Sequence, residues 1–83
     1  MNPRVKSVRA LPEHRLELLF ENGELKKFDV TPYLTKGMFK ELNEKDYFKR
    51  VKPFMGTVQW PNGQDFCPDT LYECSMQLST TEQ

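Results

Sequence analysis

Apolar and polar positions change rhythm several times along this 83-residue chain, and each change marks an element. The clearest alternation is "HRLELLF", where Leu16, Leu18 and Phe20 share one side and Arg15, Glu17 and Leu19 the other. That period of two is the signature of a strand with one face in a core. Upstream, "RVKSVRAL" reads as a first strand anchored by Val5 and Val8 and broken by Pro12. Downstream, "ENGE" is a hairpin signal, because Asn-Gly accepts positive φ angles. "ELKKFDV" then returns as the partner strand. Its Leu25 and Phe28 are three apart, which predicts a bulge or change of face near Lys27.

The alternation then stops. Thr31 followed by Pro32 predicts a helix start, with Thr31 as the cap and Gly37 closing the turn. "MFKELNEKDYF" holds two short apolar clusters, predicting two short helical turns, the second capped by Asn43 with Asp46 in its first turn. "FKRVKPF" and "TVQW" read as two more strands joined at Met55-Gly56, with Pro53 confining the first to an edge. Pro61-Asn62-Gly63 makes another turn. Pro68 suits the first position of a closing helix whose inward residues are Leu71 and, further on, Cys74 and Met76. The expected fold is α+β: two β-hairpins forming a small twisted sheet, short helices between them, and a C-terminal helix packed on the sheet. Residues 1–76 form one domain, and 77–83 a polar, frayed tail.

Composition narrows the picture. The chain is 37% hydrophobic and 12% aromatic, so its core must lean on Phe20, Phe28, Phe39, Phe48, Phe54, Phe66 and Trp60. Net charge is zero, whereas a dedicated nucleic-acid binder needs a basic surplus for phosphate contacts. Every Lys and Arg lies at or before Lys52, while Asp65, Asp69, Glu73 and Glu82 follow Pro53 without a base. The later segment therefore offers an acidic surface, suited to a basic partner unless the two parts simply neutralise each other. No apolar leader or membrane-length run is present, so the expected location is the cytoplasm. Cys67 and Cys74, seven apart and about 10 Å along a helix axis, suit reduced thiols rather than a disulfide.

The densest chemistry is "WPNGQDFCPDTLY". Trp60, Asn62, Asp65, Asp69 and Tyr72 are its candidate protein-interaction residues, since an exposed tryptophan with an acidic rim has the make-up of a binding hot spot. Each has a structural alternative: a core tryptophan, turn residues, and an aspartate at a helix N-terminus. Two rival functions are a hydrolase-type enzyme using Cys67 with His14, and weak nucleic-acid binding through the Lys45–Lys52 run, where Lys45, Lys49, Arg50 and Lys52 surround Tyr47 and Phe48. The run also holds Asp46 and lies beside Glu41 and Glu44, which dilutes it. No metal-ligand spacing and no glycine-rich phosphate loop occurs, so no metal and no cofactor is expected.

Three stretches in order, "FENGELKKFDVTPYL", "GMFKELNEKDYFKRV" and "WPNGQDFCPDTLY", resemble the domain of unknown function 2442 family, from about Val5 to Cys74. The resemblance implies a small α+β protein of bacterial or phage type, without an established activity. Some such proteins carry a helix-turn-helix extension, and others are encoded beside a second small protein, which suggests toxin–antitoxin pairs. The chain ends soon after its last helix, so a DNA-binding extension is not expected. The reading is a small non-catalytic protein-interaction module, in the antitoxin-like role of a two-protein system, with a homo-oligomer left open by its exposed edge.

Overall fold

The structure, a computed structural model, describes residues 2–77. Three strands, β1 (Val5–Leu11), β2 (Arg15–Phe20) and β3 (Leu25–Asp29), form an antiparallel meander. Two short 3-10 helices follow, η1 (Thr31–Tyr33) and η2 (Gly37–Asn43), and then α1 (Lys45–Phe48). Strands β4 (Lys52–Phe54) and β5 (Thr57–Gln59) make a separate hairpin. Helix α2 (Pro68–Glu73) leads to β6 (Met76–Gln77), which pairs with β3 and gives the main sheet the order β1-β2-β3-β6. The α+β class holds, and both expected hairpins, β2–β3 and β4–β5, are present, but in two separate sheets rather than one. Gln77 belongs to that sheet, and residues 78–83 of the expected tail lie outside the described residues.

The inner face of the sheet follows the alternation. Leu16, Leu18 and Phe20 are buried, opposite Ala10 and Val8 of β1 and Phe28 and Lys26 of β3. The bulge lies elsewhere than expected. Pairing of β2 with β3 is regular, and Leu25 turns outward against Leu19. Lys26 takes the inward place; its stem is buried and its ammonium escapes along the Tyr72 ring. The register shift lies instead in β1, between Val5 and Ser7. Val5 and Val8 are also three apart, and the extra residue Lys6 lets both reach the core.

One cluster of apolar side chains fills the interior. Phe66 is its hub, with ring centroids 5.1 Å from Phe28, 5.0 Å from Tyr33, 5.0 Å from Phe39 and 6.0 Å from Trp60. Offset and edge-on pairs of this kind add about 0.5–1.5 kcal/mol each to simple burial. Phe54 is missing from the core; it sits 41% exposed on β4. Cys74 and Met76 also face solvent, because α2 ends at Glu73 before its apolar face can complete another turn.

The helix starts use different caps from those the spacing suggests. Asp29, rather than Thr31, accepts from a free amide, the Thr31 N–H at 2.9 Å. Gly37, with φ 41°, opens η2 instead of ending η1. Glu44 caps α1 by accepting from Asp46 N–H, while the Asn43 amide donates back to the Leu34 and Lys40 carbonyls. A carboxylate is the stronger acceptor for such amides.

Two turns share one construction. In Phe20–Glu24 the first residue's N–H bonds the fifth residue's carbonyl at 2.9 Å, and the fourth N–H returns to the first carbonyl at 2.9 Å. Trp60–Gln64 repeats both bonds at the same lengths. The fourth position needs a left-handed backbone, and Gly23 (φ 91°) and Gly63 (φ 97°) supply it. Asn22 and Asn62 keep negative φ, so each turn is a five-residue type with a glycine bulge.

Candidate functional site

The structure takes Trp60 away from the surface. It is 0% exposed, packs 5.8 Å from Phe48, and donates its indole N–H to the Phe48 carbonyl at 2.9 Å. A tryptophan in that position anchors α1 to the core and cannot meet a partner directly. The rest of the expected surface is divided among separate contacts. Asn62 donates its amide to Glu41 at 2.7 Å, and its backbone N–H to the Tyr47 hydroxyl at 2.8 Å. Asp65 forms a bridge with Gln59. Asp69, together with Glu73, accepts from the Asn2 side chain at 3.1 Å. Tyr72 donates its hydroxyl to Glu24, under the Lys26 ammonium 3.8 Å from its ring centre.

Sequence reasoning passed over Gln64, which holds the "PNGQ" turn to the helices. It is 1% exposed and uses its whole amide. The Tyr47 hydroxyl donates to its carbonyl at 2.6 Å, and its NH₂ donates to the Met38 carbonyl at 3.0 Å and to Glu41 at 2.8 Å. Hydrogen bonds from Asn62 and then Gln64 hold the Glu41 carboxyl below its ordinary range. Glu24 plays the matching part in the first turn. Bonds from Tyr72 and then Asn22 hold its carboxyl low, and the same contact pushes the Tyr72 phenol up. The repeated pattern "F-E-N-G-E" and "W-P-N-G-Q" was the available sequence signal. Most of "WPNGQDFCPDTLY" therefore builds a joint between hairpin and helix.

The rival chemistries fare differently. Cys67 is the exposed residue before α2 and its side chain makes no capping bond. His14 lies in the β1–β2 turn, in a pocket that Cys67 does not line. Lys45, Lys49, Arg50 and Lys52 are all exposed. Among the described residues, no group of three or more His, Cys, Asp or Glu side chains could hold a metal. Among the same residues, no helix is long and apolar enough to cross a membrane.

A second candidate surface lies where the sequence reading placed a strand joint. Phe54 and Met55 form the tip of the β4–β5 hairpin, and Met55 is 75% exposed. Phe54 pairs with Thr57, so Met55 and Gly56 are a two-residue turn with φ 49° and 85°. Such turns favour Asn, Asp or Gly first, and methionine there carries both left-handed strain and exposed apolar area. The flanks are basic: Lys52 is exposed, and the Arg4 guanidinium lies about 2.9 Å from where a Gly56 Cβ would be. Pro53 brings no N–H to the outer edge of β4, which blunts strand addition there and leaves the side chains as the means of contact.

A family model described as "Protein of unknown function (DUF2442)" matches residues 5–76. Comparison with curated proteins and with solved structures gave no match.

Proposed function

We propose that this chain, which belongs to the DUF2442 family of proteins of unknown function, is a small protein-interaction module that docks through Phe54 and Met55. The observation that supports the reading is Met55. A side chain that is strained where it stands and exposed where it points stabilises nothing within its own fold. Buried in a partner's pocket, each of the two side chains would contribute about 2 kcal/mol. The basic flanks, Arg4 and Lys52, suit a pocket with an acidic rim. In a two-protein system of the kind the family resemblance implies, this chain takes the neutralising part, and its partner is a second small protein.

The test is a pull-down from the native cell with the tagged wild type, Phe54→Ser and Met55→Asn, alongside sedimentation of each purified protein. The wild type captures one stoichiometric protein and both variants lose it. Met55→Asn is at least as stable as wild type, since asparagine tolerates the left-handed turn. An Asp65→Ala/Asp69→Ala variant separates this surface from the acidic alternative around Asn62, Asp65, Asp69 and Tyr72. Capture that survives both tip variants and fails with the aspartate variant overturns the hairpin assignment. Concentration-dependent dimerisation abolished by Phe54→Ser makes the partner a second copy of this chain.

A further inference from the structure

We propose that the pocket beneath the β1–β2 turn binds a small carboxylate with an apolar body, independently of the hairpin tip. The pocket holds about 500 Å³, within the size range of small-molecule sites. Ala10, Leu11, Pro12 and Phe48 make its apolar wall. Lys45 at the start of α1 and Lys49 at its C-cap stand at the rim, four residues apart and so on one side of that turn. Among the described residues neither lysine has an ion-pair partner. The carboxylate that also lines the pocket, Glu13, is turned to Arg15 at 3.5 Å. The pocket thus offers two ammonium groups over a greasy floor, and a monocarboxylate with a ring or short chain answers both features.

The turn above the pocket is built at a cost. Glu13 (φ 65°) and His14 (φ 59°) both hold left-handed conformations without being glycine, each worth about 1–2 kcal/mol of strain. The Val30 N–H fixes the turn by donating to the His14 carbonyl at 2.9 Å. That conformation lays the imidazole edge-on against Phe48, 5.1 Å between centroids. His14 Nε2 is left shut off from solvent with no hydrogen-bond partner, the single such side-chain atom found among the described residues. Strain and an unsatisfied polar atom side by side mark a place whose geometry serves something other than stability. His14 also lines the pocket, so a ligand oxygen bound there is the partner that Nε2 lacks.

The probe is benzoate, followed by amide NMR and by fluorescence of Trp60, which packs on the same Phe48. Saturable shifts at Glu13, His14, Lys45 and Lys49 are expected, with benzamide and inorganic phosphate much weaker. Lys45→Met/Lys49→Met keeps both apolar stems and weakens benzoate about tenfold. Equal shifts from phosphate would reduce the site to diffuse anion attraction and overturn the proposal, as would benzamide binding as well as benzoate. A short peptide ending in phenylalanine that binds better than benzoate overturns the small-molecule assignment and gives the pocket to a protein terminus. Loss of partner capture in the hairpin variants leaves this titration unchanged, so the two proposals fail separately.

Discussion

Replacing Gln64 by leucine is the sharpest test of how this fold is held. The side chain is fully enclosed and makes three bonds: with the Tyr47 hydroxyl, the Met38 carbonyl and the Glu41 carboxylate. Leucine has nearly the same volume, so cavity formation is minor and the loss is polar. Two neutral bonds at about 1 kcal/mol each and one to a carboxylate at about 2 give a gross loss of about 4 kcal/mol. Exposed Glu41 recovers some hydration and the leucine adds apolar burial, leaving about 2–4 kcal/mol. A chain this size has a total of about 4–12 kcal/mol. In urea, with a slope of about 1 kcal/mol per molar, the midpoint should fall by about 2–4 M while the slope stays constant. Gln64→Glu adds a second test: its carboxylate meets Glu41, so it is worse than leucine near neutral pH and recovers in mild acid, when one of the two takes a proton. A leucine variant within about 0.5 kcal/mol of wild type would show that the turn does not depend on this amide.

Acid should loosen the protein through Glu24, Asp29 and Glu41. Their folded pKa values lie below ordinary ones: Glu24 and Glu41 through hydrogen bonds, and Asp29 because bonds from Thr31 outweigh the upward push of burial. Their stabilisation is therefore complete above the unfolded carboxylate range and fades as pH falls through the lower folded values. Tyr72 is raised, so its share is complete below the ordinary phenol range and fades as pH climbs through the higher folded value; urea midpoints for Glu24→Gln should flatten both limbs. Trp60 emission should be blue-shifted and resistant to iodide quenching, as its burial requires. Gly63→Ala meets open space but a φ of 97°, so it should lower stability by about 1 kcal/mol or more, and Gly23→Ala should match it. Lys26→Ala should cost about 1–3 kcal/mol in the same urea assay, by removing both the buried stem and the ammonium on Tyr72.

Much of this fold was readable where a local rule had no competitor. The alternation from Leu16 to Phe20, the turns at Gly23, Gly56 and Gly63, Pro68 at the start of α2 and Leu71 in the core all stand as the spacing implied. Misreadings occurred where two positions offered the same signal. Two apolar pairs three apart, Val5/Val8 and Leu25/Phe28, each allow a bulge, and only the tertiary place of Lys26 decides between them. Lys26 reads as a surface residue until the Tyr72 ring and carbonyl give its ammonium an exit. Phe54 and Trp60 were both expected among the core rings, and only Trp60 is covered, for a related reason. A short hairpin fixes which residues pair, but whether a ring is covered depends on α1 and Phe48, which lie elsewhere in the sequence.

Four of the turns among the described residues divide by the residue that takes the left-handed place. At Gly23 and Gly63 that place is relaxed, and the following Glu24 or Gln64 accepts a tyrosine hydroxyl from a helix, Tyr72 of α2 or Tyr47 of α1. Both of those turns serve the architecture, and their polar atoms are engaged by it. The other two turns hold Glu13, His14 and Met55, the non-glycine residues with positive φ among those described. Alanine-sized strain is easily avoided in a small protein, since glycine or asparagine at any of the three would remove it. Its persistence at these turns, beside an unsatisfied imidazole nitrogen in one and a bare methionine in the other, points the search for partners to these two turns. Replacing Met55 by asparagine and His14 by asparagine should therefore raise the urea midpoint separately and additively, and a fall at either position would mean that its side chain serves the fold after all.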